Sequence, residues 1–280
     1  MFRIVVDKKN CYVLLTRFPL GEIGVELPVE LRYLQSNSHL TIIADELVTG
    51  NDLLLLKFLV SAIKDEQKNV SLELVVPYFP YARQDRKTLP GQCFTLKVVT
   101  DIINSLNFDK VYIADPHSHV VSSLLNNCVI MNVSWAFVFE NKGYDRENIP
   151  VVIAPDAGFS KKAQSINTGS QPYSVVQCLK TNGMLSDLQV VDPKGLLAAA
   201  KEAYIFDDIC SRGGTFLGLA GEIRKVNPNI KLNLCVTHFE YTADLEKMFS
   251  VFENIYTTNS LPVSPEAASN NNFHVTNIYN

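Results

Sequence analysis

The six cysteines, Cys11, Cys93, Cys128, Cys178, Cys210 and Cys235, include no CxxC pair and show no even spacing. That excludes the usual zinc ligand sets and a disulfide framework, and leaves reduced, partly buried thiols as the expectation. Basic residues form no runs of the kind that track a nucleic-acid backbone, and the formal net charge of -4 is mild. No nucleic-acid partner is expected, and small-molecule chemistry is. Long apolar runs are also missing: the longest, Leu53 to Ile63, is interrupted by Lys57, so no membrane span is expected. The opening MFRIVVDKKN is too charged and too poor in apolar residues for a secretory signal, which points to a cytoplasmic protein.

What is present is enough for real cores. The chain has 280 residues and is 47% hydrophobic, sufficient for one large or two medium domains. From Leu40 a short apolar run (TIIA) is followed by the helix-like DLLLLKFLVSAIKDE and a second apolar run, LELVVPYF. KVVTDIINSL then reads as helix and KVYIAD as strand. This alternation predicts an α/β fold in which a mainly parallel sheet is flanked by helices. After Asn132 the programme begins again: strand VVIA, helix KKAQSIN, strand AYIFDD, helix TFLGLAGEIRKV and strand LNLCVTH. Two similar α/β domains are expected, 1–134 and 135–280. They share a pattern and no strict repeat. The polar, Asn-rich tail from Pro262 to Asn280 receives no assignment.

Ligands of such sheets sit beyond the carboxyl ends of the strands. Polar residues there are Arg-Gln-Asp-Arg after the Val75 run, Asp-Pro-His after the Val111 run, Asp-Ala-Gly after the Val151 run and Asp-Asp-Ile after the Tyr204 run. The last is the most specific. In Tyr204-Ile-Phe-Asp-Asp-Ile-Cys-Ser-Arg-Gly-Gly-Thr-Phe216 a buried strand delivers two carboxylates and then a short loop that opens a helix. Asp207 and Asp208 can accept hydrogen bonds from two vicinal hydroxyls of a ribose. Ser211, Arg212, Gly213, Gly214 and Thr215 offer a phosphate N–H groups, two hydroxyls and the positive end of the helix. Glycine lets the backbone approach closely. Asp pairs before Gly-rich turns also make ordinary strand-to-helix connections. Arg83 and Arg86 supply permanently charged forks of the kind a polyphosphate needs, with Gln84 as a neutral donor between them.

These segments resemble known families. The Asp207 stretch is similar to the phosphoribosyl-diphosphate motif shared by type I phosphoribosyltransferases and ribose-phosphate pyrophosphokinases. Val75-Val-Pro-Tyr-Phe-Pro-Tyr-Ala-Arg-Gln-Asp-Arg-Lys87 looks like the ATP-binding signature of the pyrophosphokinases alone. Phe18-Pro-Leu-Gly-Glu-Ile-Gly-Val-Glu-Leu27 resembles their adenine-covering segment, with Phe18 to stack on the base and Glu22 to receive its amino group. In the family this segment reaches a neighbouring subunit, which implies a homo-oligomer, a dimer or hexamer. Ala114-Asp-Pro-His-Ser-His119 is similar to the element whose histidine helps hold metal and ATP, which assigns that role to His117. Asp156, in Ala154-Pro-Asp-Ala-Gly158, resembles the second metal-associated position. Imidazole is an unusual magnesium ligand, so His117 needs oxygen donors beside it. The matches run in family order from about Phe18 to Ser260.

The resemblance implies Mg2+-dependent transfer of diphosphate from ATP to the C1 hydroxyl of ribose 5-phosphate. Arg83, Arg86 and Gln84 would hold the polyphosphate, and Lys180 would sit on a basic loop that closes over the reaction. The sequence also departs from the pattern. Leu20 stands where the family usually has aspartate. Thr181 and Asn182 follow Lys180 where an arginine is usual. Ser211-Arg212 replaces an Asp-Thr pair in the phosphate loop. The last change could strengthen the hold on an ordinary 5-phosphate or favour a 5-phosphate that carries more, such as the diphosphate of ADP-ribose, as in NAD salvage. A non-catalytic regulatory subunit is a further alternative, against which the retained Arg-Gln-Asp-Arg, His117, Asp156 and Asp207–Asp208 argue. A base phosphoribosyltransferase would leave the ATP-like segments unexplained.

Overall fold

The computed structural model describes residues 2–6, 9–32, 38–67, 69–139, 150–163, 166, 174–180, 188–192, 194–240 and 242–279. The chain forms two compact units, Met1–Asn132 and Val133–Asn280.

In the first unit, β1 (Arg3–Val6) pairs antiparallel with β2 (Lys9–Tyr12) and with β5 (His39–Ile43). Parallel strands β6 (Ser71–Val76), β7 (Lys110–Ala114) and β8 (Cys128–Met131) complete a sheet of order β2-β1-β5-β6-β7-β8. A separate hairpin, β3 (Leu14–Arg17) and β4 (Ile23–Glu26), leads into the short α1 (Val29–Arg32).

Helix α2 (Gly50–Glu66) forms where the apolar spacing predicts. Leu53, Leu56, Leu59, Val60 and Ile63 recur at helical period and are buried, as a core-facing stripe requires. Its start is fixed by a capping box. The Thr49 side chain accepts from the Asp52 N–H, and Asp52 Oδ2 accepts from the Thr49 N–H at 2.7 Å, a cap worth about 1 kcal/mol. Helix α3 (Thr95–Asn104) buries Leu96, Val99, Thr100 and Ile103. The shorter α4 (Val120–Leu124) precedes β8. Strand β6 ends at Val76, earlier than the apolar run LELVVPYF suggests, because Pro77 has no N–H to offer the ladder. Leu74 pairs with Val111 and Val76 with Ile113, so β6 and β7 end together and release their loops at one sheet edge.

The second unit opens with α5 (Ala136–Phe139) and carries a seven-stranded sheet of order β11-β10-β9-β12-β13-β14-β15. Its strands are β9 (Val151–Ala154), β10 (Ser174–Lys180), β11 (Leu188–Val191), β12 (Glu202–Cys210), β13 (Lys231–Phe239), β14 (Asn254–Thr258) and β15 (Phe273–Thr276). All neighbours are parallel except β10 and β11. Helices α6 (Ala157–Ala163), α7 (Leu196–Ala199), α8 (Gly214–Val226), α9 (Leu245–Val251) and α10 (Pro265–Ala268) connect them.

Both faces of β12 are covered. Ala203 and Ile205 pack in one cluster with Phe216, Leu219 and Ile223 of α8. Tyr204 and Phe206 point the other way, to Trp135 and Phe139. This explains why the strand reads as a continuous apolar run. It also runs further than AYIFDD, to Cys210, because Ile209 and Cys210 stay paired with His238 and Phe239. Helix α6 begins at Ala157, before the KKAQSIN segment, and the unassigned tail supplies α10 and β15. The fold class is as the pattern predicts: two α/β units with mainly parallel sheets flanked by helices.

Candidate functional site

In the first unit, the loops after β6 and β7 meet through one side chain that the motif comparison passes over. Asp85 is held by Arg86 (Nε to Oδ1, 2.8 Å; Nη2 to Oδ2, 3.3 Å) and also accepts from Ser118 Oγ at 2.7 Å. Ser118 is buried and follows the exposed His117. The Arg83–Arg86 loop and the Asp115–His119 loop are thereby fastened to each other. The Arg86 guanidinium, helped by the Ser118 hydroxyl, holds the Asp85 carboxyl below the usual carboxylate range. Gln84 ties the same loop to α3: its carbonyl accepts from the Leu96 N–H at 3.3 Å, and its Oε1 accepts from Thr95 Oγ1 at 3.1 Å.

Both loops carry backbone strain. Tyr81 sits at φ 60° and Asp115 at φ 35°, a region an L residue avoids, above all a bulky one. Each costs on the order of 1–3 kcal/mol and persists only where the surroundings impose it. Arg83 and Arg86 extend from this braced edge and are exposed.

Phe18 and Glu22 stand apart, at the tip of the β3–β4 hairpin. Phe18 N–H donates to the Glu22 carbonyl at 2.9 Å, and Gly21, at φ 90°, closes the turn. Phe18 is 49% exposed and Leu20 is 94% exposed, so the tip presents apolar surface.

In the second unit, β9 and β12 lie side by side and deliver their carboxylates at the same edge. Asp208 is buried, and Asp207 Oδ1 accepts from its N–H at 2.9 Å. Burial raises the Asp207 pKa well above the usual value. The neighbouring Asp208 carboxylate, and then that of Asp156, push the same way. Asp156 Oδ1 caps α6 by accepting from the Phe159 N–H at 2.9 Å. That bond is why the helix starts where it does.

The loop Ser211–Thr215 follows directly. Gly213 adopts φ 78°, and a Cβ there would lie 2.5 Å from Met248 Sδ, so the position favours glycine. Helix α8 begins at Gly214 without a side-chain cap. The N-terminus of such a helix suits an anion. Arg212 and Gly214 are exposed and Thr215 is half-buried. Ser211 Oγ donates to Glu240 Oε2, an acidic partner 29 residues further along that the motifs do not mark. Cys210, ahead of the loop, is pushed up to about 12 by burial, with Asp207 and Glu240 adding to it, and is no nucleophile.

Lys180 closes β10; its side chain and residues 181–187 lie outside the described residues. Among the described residues no group of three or more His, Cys, Asp or Glu is gathered as a metal cage, and no helix is long and apolar enough to cross a membrane.

Residues 5–106 match the model of the N-terminal domain of ribose phosphate pyrophosphokinase. A ribose-phosphate pyrophosphokinase of Aquifex aeolicus is 28% identical over 258 residues, covering 89% of this chain and 79% of its own. One from Pasteurella multocida is 27% identical over 266 residues, covering 92% and 82%. The phosphoribosylpyrophosphate synthetase of Mycobacterium smegmatis superposes with a TM-score of 0.73 at 18% identity, covering 95% of this chain and 86% of that one, a likeness of fold. The N-terminal match and relatives that align along most of the chain make this protein similar to the ribose-phosphate pyrophosphokinases, and the solved structure shares its fold.

Proposed function

We propose that the protein transfers diphosphate from ATP to the C1 hydroxyl of ribose 5-phosphate, giving phosphoribosyl diphosphate and AMP. The observation that carries this reading is the Ser118–Asp85–Arg86 chain. It braces at one edge the two segments that resemble the pyrophosphokinases' ATP side, which a base phosphoribosyltransferase has no use for. In this reading 1–134 is the ATP side and 135–280 the ribose-phosphate side.

The C1 hydroxyl oxygen attacks the β-phosphorus in line and gives its proton to solvent, the bond from that phosphorus to the oxygen it shares with the α-phosphorus breaks, and AMP leaves with that oxygen. The protein's share is positioning and charge. Arg83, Arg86 and Gln84 grip the polyphosphate. Asp207 and Asp208 accept from the ribose hydroxyls, and Ser211–Thr215 takes the 5-phosphate. Lys180 offers a further cation, and Phe18 with Glu22 receives adenine.

The donor set suits Mg2+, a hard cation that binds through one or two carboxylates plus substrate phosphates and needs no all-protein cage. Asp156, beside the Asp207 carboxylate, would be its ligand in the second unit, His117 is the position the resemblance gives in the first, and the ion would neutralise charge on the phosphates. The exposed Phe18 and Leu20 support assembly as a homo-oligomer. The exposed Arg212, in place of the loop's usual threonine, favours one second reading: the same chemistry on a 5-phosphate that carries more, such as that of ADP-ribose.

The purified protein, given ATP, Mg2+ and ribose 5-phosphate or ADP-ribose, should release AMP and form a product heavier by a diphosphate, read by mass. Absence of AMP with every ribose phosphate would sink the reading.

A further inference from the structure

The acceptor edge of the second unit is already crowded with Asp156, Asp207 and Asp208, and Glu240 brings another carboxylate into the phosphate loop itself. Ser211 Oγ donates to Glu240 Oε2. A hydroxyl has one proton, so Ser211 cannot serve a phosphate oxygen while it serves Glu240. Holding the loop does not need this contact. The Glu240 N–H already donates to the Cys210 carbonyl at 2.8 Å, and Thr242 Oγ1 donates to the Ser211 carbonyl at 3.4 Å. What the carboxylate adds is negative charge where an anion is to dock. The electrostatic penalty scales with the charge of the ligand. A phosphate monoester carries nearly two charges at neutral pH and a diester carries one, so the monoester is repelled about twice as strongly.

Resting on the assignment of residues 211–215 to the acceptor's phosphate, we propose that Glu240 determines acceptor specificity by charge. Its carboxylate, held at the phosphate loop by Ser211, weakens binding of dianionic 5-phosphates relative to singly charged, esterified ones through its own charge. The half-buried Glu240 and the exposed Arg212 make this the tunable end of the site.

The test is calorimetric, with Mg2+ present, on the full chain. Kd is measured for ribose 5-phosphate and for its methyl phosphodiester, in the unaltered protein and in Glu240→Gln, which keeps an acceptor for Ser211 and removes the charge. The expected result is that the ratio of the two Kd values moves toward ribose 5-phosphate by about five- to tenfold. Ser211→Ala, which keeps the carboxylate, should leave that ratio within about twofold, since the charge carries the effect. Equal changes for both ligands in E240Q, or loss of both, would overturn the proposal, because a merely structural Glu240 cannot tell the ligands apart. If E240Q fails to fold, Glu240→Ala is read in the same way. If the unaltered chain binds neither ligand, the assignment of the phosphate loop itself has failed. If it binds both and E240Q leaves the ratio unmoved, only the role of Glu240 has.

Discussion

The two units meet opposite electrostatic demands. The charges of the first are cheap to hold: Arg86 is 74% exposed and is paired with an Asp85 whose carboxyl is stabilised in its ionised form. Those of the second are costly: Asp208 is buried, and Asp207 resists ionisation because burial and two neighbouring carboxylates oppose it. A pair that only held the fold would not be kept in that state, because hydrophobic residues of similar size would serve as well. Strain of this kind concentrates where ligands bind. The first unit instead stores its strain in the backbone, at Tyr81 and Asp115. One unit thus presents permanent cations on a braced loop, and the other holds acidic side chains of which one, Asp207, is kept from ionising readily.

The sharpest way to break this comparison is Asp208→Ala, which should abolish acceptor-dependent AMP release, a loss on the order of a thousandfold or more. Unchanged activity would show that the ribose site is elsewhere. Arg83→Ala or Arg86→Ala should raise the KM for ATP by about ten- to a hundredfold with little effect on the acceptor's. Equal losses for both substrates would merge the two roles. Asp85→Asn and Ser118→Ala remove no substrate contact, so about three- to tenfold in KM for ATP is expected, with rescue by Ser118→Thr.

Stability should respond in opposite senses. Asp207, with its folded pKa raised, favours the folded state fully only below the ordinary aspartate value near 4, and that support is lost as pH rises through the folded pKa. Asp207→Asn should therefore raise the melting temperature at neutral pH while it harms activity. Asp85, with its folded pKa lowered, contributes stability above the ordinary value and loses it as pH falls through the folded pKa. Asp85→Asn should thus lower the melting temperature at neutral pH, and the deficit should vanish in acid. Melting curves across pH would show the two variants crossing.

Much of this was legible in the sequence where the signal is local. Apolar period marks α2, α3 and α8, and unbroken apolar runs mark β6, β7 and β12. The four strand-end segments stand where such sheets bind ligands. Less visible was whatever depends on distant partners. Ser118 reads as a filler between two histidines until Asp85, 33 residues earlier, is placed beside it. Glu240 follows a strand and looks solvated until it meets Ser211. Strand β12 outruns its carboxylates because β13 pairs with it to the end. The Asn-rich tail hid β15, whose one buried side chain, Phe273, packs against Phe239 with ring centroids 5.2 Å apart. Helix α6 started early because Asp156, marked as a metal position, also caps it.

The most direct test of diphosphate transfer follows the β-phosphorus. With ATP labelled at that atom, Mg2+ and ribose 5-phosphate, the label should appear on the sugar as part of a diphosphate, in step with unlabelled AMP. Label retained in ADP, or released as free phosphate or diphosphate without a sugar product, would contradict the account.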